Sequence, residues 1–444
     1  MARYLSRAMS GAGWSTRVVS GSLGGPDEPG NAASFFGPAT DLVAVRYDDA
    51  IRAPDPVLAS PPMHPSYEDR PGAPDRVFAG LDDRVAGHLV AEWTKILGAP
   101  GVLDGVEVAH LHHLTPAHEA VAALAPDLPI VTHLHGTELL MLEEAERGAS
   151  WRFEDEWRAR MRRWAQRSAR VIVSSEPSRV DAERLLGIDA DRMVVVPNGV
   201  DLRLFDGPHA TVAEREALFR RWLCEAPRGW SPERPRPGDV RYSPEAIAPL
   251  LDPQAVIALY VGRFTAVKRT ALLVRAHAQA RDKLGRALPL VFVGGAPGEW
   301  EGEHPADAAA RSPWGHEIFF AGWRSHSELA ELLACGDLLA VPSVAERFGQ
   351  VFVEAMAMRV PVIACRVAAP PTYIDDDPGS PDRCGWLVPP DDEGALAQAL
   401  VAAAADPTER AIRGENGRRR AHERFSWEQI AFSVADVYAA ALEG

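Results

Sequence analysis

Cysteine is scarce in this 444-residue chain: Cys224, Cys335, Cys365 and Cys384 contain no C-x-x-C pair and are too few to staple a protein of this length. Long hydrophobic runs are missing as well. No window offers the roughly 18 apolar residues that a spanning helix needs. The start, Met1 to Arg7, has one apolar pair between charges where a secretory signal needs an unbroken apolar stretch. Positive charge is in deficit: 47 Lys plus Arg against 62 Asp plus Glu give a net charge of −15, a field that repels phosphate backbones. These absences argue against a disulfide scaffold, a membrane span and a nucleic-acid partner, and they lead us to expect a cytoplasmic protein. What is present is the mixture of a soluble globular protein, 46% hydrophobic and 25% charged, long enough for two or three domains.

The chain opens with helical spacing over residues 3 to 12, closed by Gly11 and Gly13 before the short strand Thr16 to Ser20. In a parallel α/β domain a strand normally precedes the first helix, so the opening helix predicts that a first strand is absent. Residues 54 to 74 hold seven prolines and are expected to be an extended surface excursion. From residue 84 strands and helices alternate, with apolar runs at Val106 to Leu111, Ile130 to His133, Val171 to Val173 and Met193 to Val196. A second proline-rich stretch, Pro227 to Pro253, reads as a linker or insertion, after which the alternation restarts at Val256 to Val261, Leu288 to Val293, Ile318 to Phe320, Leu338 to Val341 and Val360 to Ala364. Two doubly wound α/β domains follow from this pattern, with boundaries at 1–205, 206–255 (the insertion), 256–425 and a closing helix over 426–444. That helix should present Ile430, Phe432, Val434, Val437, Tyr438 and Leu442 on one apolar face.

Two blocks carry the chemistry. In Val341 to Ala357 a strand ends, Glu346 sits in the loop, Gly349 opens a helix and Glu354 follows eight positions after Glu346. Backbone N–H groups at such a helix mouth suit a diphosphate, and the carboxylates can accept from hydroxyls on either side of it, as in a sugar nucleotide. In Tyr260 to Arg269 a strand runs into a loop with Arg263 and Lys268, a bidentate donor and a point charge fit to stabilise a leaving diphosphate.

The E-x-F-G block with its second Glu resembles the signature of GT-B retaining glycosyltransferases of family 4 (glycosyl transferases group 1). Gly262-Arg263-Phe264 to Lys268, Val196 to Asp201 and Gly385 to Pro390 are similar to that family in order and spacing. The resemblance implies two Rossmann-like domains facing across a cleft, the donor on the C-terminal one, and a closing helix returning to the N-terminal one. It implies that Arg263 and Lys268 hold the donor diphosphate, with Gly262 and the Phe348-Gly349 backbone beside them. Glu346 would take sugar hydroxyls, Glu354 the ribose, and the backbone from Phe320 to Trp323 the base. His135, in Thr132 to Glu138, would stand near the transferred sugar. The resemblance further implies retention of configuration, no metal and no cofactor beyond the nucleotide-sugar donor, with the acceptor unidentified. Family members begin with a strand and a glycine-rich loop, whereas this sequence begins at the following helix. Either the start is assigned too late, or the protein is a non-catalytic nucleotide-sugar-binding remnant.

Three other readings compete. The H-L-H triplets His110/His112 and His133/His135 end consecutive strand-like runs and could ligate a metal, as in metal-dependent hydrolases. Asp375 to Asp377 contains a D-x-D, more readily read as a solvated turn. The six arginines from Arg158 to Arg170, with Trp157 and Trp164 among them, would allow peripheral contact with an inner membrane face; a charged outer helix face is the plainer reading. Gly294-Gly295 reads equally as a turn or as an approach to the nucleotide.

Overall fold

The computed structural model describes residues 1–28, 30–69, 76–149 and 151–443. The chain divides into two compact units, Met1–Gly199 with Trp427–Gly444, and Val200–Ser426. Both are parallel α/β structures, as the alternation predicts.

Among its described residues, the first unit holds six strands in two sheets. β1 (Arg17–Ser22) pairs with β2 (Asp41–Arg46), and β3 (Ala109–His112), β4 (Ile130–Leu134), β5 (Arg170–Val173) and β6 (Met193–Val195) lie in sequence order. All these pairings are parallel. β4 and β5 are buried almost throughout; Val171 to Val173 of β5 is a continuous apolar run, whereas β4 carries Thr132 and His133 between Val131 and Leu134. The helix Trp427–Glu443 packs Ile430, Val434, Val437 and Tyr438 with Leu5, Met9, Val131 and Ile172. Phe432 and Leu442, expected on that apolar face, are exposed instead: at 100° per residue they fall outside the arc that Ile430, Val434 and Val437 bury.

The second unit is one six-stranded sheet of β7 (Ala258–Val261), β8 (Leu290–Val293), β9 (Ile318–Gly322), β10 (Leu338–Val341), β11 (Val362–Cys365) and β12 (Gly385–Val388), ordered β12-β11-β10-β7-β8-β9. The order reverses between β7 and β10. In an open α/β sheet, ligands bind outside the carboxyl ends of the strands at such a switch point.

Two proline-rich stretches differ from expectation. Residues 206–255 lie within the second unit, where Phe219, Trp222, Trp230 and Ile247 are buried in its core. The prolines break ladders there, but the aromatic and aliphatic residues between them supply enough apolar area to pack. The 54–74 excursion is likewise pinned: Val57 is fully buried, Ser60 donates to Glu92, and the Tyr67 hydroxyl donates to the Leu114 carbonyl at 2.7 Å. Pro71 and Pro74 of that stretch lie outside the described residues.

Candidate functional site

The loops after β7 and β10 leave the switch point side by side. After β7, Arg263 sits exposed while its carbonyl accepts from the Tyr260 hydroxyl at 2.7 Å. Lys268 ends a short 3-10 turn, Ala266–Lys268. After β10, Val344 N–H donates to the Val267 carbonyl at 2.9 Å and ties the loops together. Lys268 Nζ then lies 2.5 Å from Glu346 Oε2, both side chains mostly buried at 19% and 14% exposure.

Glycine is required at 349. Its φ of +86° caps the helix Gln350–Ala357, and an added Cβ would stand 2.5 Å from Phe352 Cδ2, 2.8 Å from the Tyr373 hydroxyl and 3.0 Å from Glu346 Cγ. Tyr373 donates to the Phe348 carbonyl, holding the turn from the opposite side. Burial, then the Glu346 charge, push the Tyr260 and Tyr373 phenols well above their usual range, so both stay protonated and able to donate. These tyrosines were not singled out in the sequence.

Glu354 follows on the same helix, 3% exposed, and accepts from His326 Nε2 at 2.8 Å. His326 opens the helix His326–Cys335 behind the Ser325/Glu328 capping box. Nothing in its local sequence marked it.

The segment Phe320 to Trp323, expected to read the base, is only partly available. Phe320 lies within β9 and its N–H donates to the Tyr242 hydroxyl at 2.9 Å, so that group is already taken; Trp323, past the strand, is 59% exposed. Gly262 N–H donates to the Val293 carbonyl, and a Cβ on Gly294 would stand 2.2 Å from the Gly262 carbonyl oxygen. The Gly294 approach is thus backbone against backbone.

His135 belongs to the first unit, at the end of β4. Its Nε2 lies 2.8 Å from His112 Nδ1, and its N–H donates to Glu138 Oε1 at 3.4 Å. Burial and then the neighbouring imidazoles push its pKa well below the usual histidine range, which keeps it neutral.

Two of the rival motifs, the D-x-D and the arginine-rich helix, resolve into structural contacts. Asp376 pairs with Arg366, and Asp375 accepts from Ser380 at 2.6 Å, within a turn. Trp157 and Trp164 are buried, and Arg160 is shared between Asp83 and Glu119, so the helix Glu154–Arg167 turns its aromatics inward. Among the described residues, no helix is long and apolar enough to cross a membrane.

Comparison with known proteins bears on the family and the fold. Residues 1–204 match the family model "Glycosyltransferase Family 4", and residues 255–406 match "Glycosyl transferases group 1". A D-inositol 3-phosphate glycosyltransferase of Saccharomonospora viridis is 30% identical over 311 residues, covering 66% of this chain and 67% of that protein. Sucrose-phosphate synthase from Thermosynechococcus elongatus superposes with a TM-score of 0.65 at 22% identity, over 99% of this chain and 92% of that one. Anabaena HepE in complex with UDP and glucose superposes at 0.61 and 16% identity, over 99% of this chain and 96% of that one. The fold is therefore GT-B, two α/β domains with parallel sheets. The chain belongs to the group 1 glycosyltransferases, family 4. It spans little more than half the length of other relatives it matches, 56% of a D-inositol 3-phosphate glycosyltransferase of Catenulispora acidiphila over 279 residues at 31% identity, 62% of this chain.

Proposed function

We propose that this protein is a retaining glycosyltransferase that moves a sugar from a nucleoside-diphosphate sugar to an acceptor, without a metal on the donor. The observation that carries the proposal is the meeting of Lys268 and Glu346 beside the Gly349 helix mouth, at the switch point of the second unit's sheet. Arg263 and Lys268 neutralise the diphosphate as it leaves, Glu346 accepts from sugar hydroxyls, and Glu354, oriented by His326, accepts from the ribose. His135 is neutral and is assigned a positional part that supplies no proton. The leaving diphosphate itself takes the acceptor proton, on the face it vacates, which retains the anomeric configuration. HepE, solved with UDP and glucose, supports a nucleotide-sugar donor.

The test is a thermal-shift screen over UDP-, GDP- and ADP-sugars, followed by anomer analysis of the product by NMR. Stabilisation by one donor series and a retained configuration are expected; inversion, or no stabilisation by any series, refutes the proposal. A second reading is donor binding without transfer. Donor stabilisation with no turnover would select it.

A further inference from the structure

The first unit spends buried volume on imidazoles where a parallel sheet ordinarily uses aliphatic side chains. His112 on β3 stands opposite His133 on β4, and His110 shares a face with His112 by strand alternation. The rings of His110, His112, His133 and His135 stack with centroid separations between 4.5 and 5.4 Å. His133 is 1% exposed and neither of its ring nitrogens has a hydrogen-bond partner; Nε2 of His110 is buried without one as well. Buried polar atoms are normally paired, so three orphans in one cluster call for a ligand.

We infer that His110, His112 and His133 hold a divalent transition ion of the zinc class. One ring nitrogen of each lies within 4.8 Å of the others. To stand roughly 2.0–2.1 Å from a shared ion, the nitrogens draw together from that outer limit by about 1.5 Å. The neighbouring contacts are compatible with the tautomers that this needs. Nδ1 of His110 is 2.5 Å from the Tyr438 hydroxyl, and Nδ1 of His112 is 2.8 Å from His135 Nε2. With Nδ1–H donating in both, each Nε2 presents its lone pair, which is the outer-shell arrangement that metal-bound histidines use. Three imidazoles without a carboxylate or thiolate select borderline ions over Mg²⁺ or Ca²⁺, which demand oxygen. The ion ties β3 to β4 and leaves a fourth position for water. Its three ligands all belong to the first unit, and the inference does not rest on the transferase reading.

The experiment uses the full chain, stripped with a chelator and titrated with Co²⁺ as a spectroscopic substitute for Zn²⁺. A visible d–d band should saturate at one ion per chain and be displaced by Zn²⁺, and Zn²⁺ should raise the thermal midpoint. His110→Gln and His133→Gln should each lose the band. Tyr438→Phe, which spares the ligands, should keep it with affinity lowered by roughly 10- to 100-fold. The exposed His316→Gln should match the parent. No band in the parent, or an undiminished band in a folded His133→Gln variant, overturns the inference. Should the ligand variants fail to fold, an unchanged Co²⁺ affinity in Tyr438→Phe overturns it equally. No donor is needed, so the outcome stands apart from that of the donor screen.

Discussion

Gly349→Ala tests the geometry of the donor site most directly, because two separate costs can be worked out in advance. The first is conformational: at φ +86° an L-residue pays roughly 1–2 kcal/mol. The second is steric: the new Cβ would lie 2.5 Å from Phe352 Cδ2, and Phe352 is fully buried and cannot swing away, so overpacking adds about 1–3 kcal/mol. The total is about 2–5 kcal/mol from the second unit. Gly285→Ala is the control. Gly285 caps the helix Thr270–Leu284 at φ +64° with nothing within 4 Å of an added Cβ, so only the conformational cost of about 1–2 kcal/mol applies. Urea unfolding of parent and both variants gives the two numbers, and their difference isolates the steric term. The same displacement moves Glu346 and Tyr373, so Gly349→Ala should also blunt stabilisation by the donor sugar that Gly285→Ala leaves intact. Equal destabilisation by the two variants would refute the reasoning.

Lys268→Ala should lower kcat/KM by roughly 10²- to 10³-fold, the ~2.7–4 kcal/mol typical of removing one stabilising donor, and, because it strands the mostly buried Glu346 carboxylate, it should also lower the thermal midpoint; activity assays paired with thermal melts separate the two. Glu354→Ala should weaken free-nucleotide binding and Glu346→Ala should not, measured by calorimetry; equal losses would contradict the assignment. Burial pushes His118 down to about 4 against an ordinary 6.5, so on acidification the unfolded chain takes its proton first. Stability tied to His118 is complete above pH 6.5 and falls by up to about 1.4 kcal/mol per pH unit toward pH 4. The slope of unfolding free energy against pH should therefore be shallower in His118→Asn.

Most strands were legible because parallel strands covered on both faces must be apolar throughout: Leu338 to Val341 was found to the residue, and the others within one to three positions. β12 was visible only through its motif, since Gly385-Trp386-Leu387-Val388 is too short and mixed to read as a strand. The proline-rich stretch before β7 misled because proline reports what the backbone cannot do, while Trp222 and Trp230 decide where the segment packs. In the site, Glu346, Gly349 and Glu354 were readable because loop, helix mouth and helix follow one another in the chain. His326 and Tyr373 were not, since their partners lie 28 and 25 positions away. Lys268 also stands out by residue type: Lys95, Lys268 and Lys283 are the only lysines in a chain that otherwise draws its cations from arginine.

Two of the proposed donor-binding groups are already spoken for by each other. Without a donor, Lys268 and Glu346 satisfy one another at 2.5 Å in a mostly buried setting. A free nucleoside diphosphate that recruits Lys268 leaves the Glu346 carboxylate without its cation, and stranding a desolvated charge is costly. A donor that carries its sugar supplies hydroxyls to that same carboxylate and avoids the cost. Sugar-bearing donor should therefore bind more tightly than its own diphosphate by more than the new hydroxyl contacts provide, and Glu346→Ala should bind the bare diphosphate at least as tightly as the parent does. Calorimetry with both ligands on both proteins closes this cycle; a bare diphosphate that binds the parent as well as the sugar nucleotide does would show that Glu346 takes no part in reading the sugar.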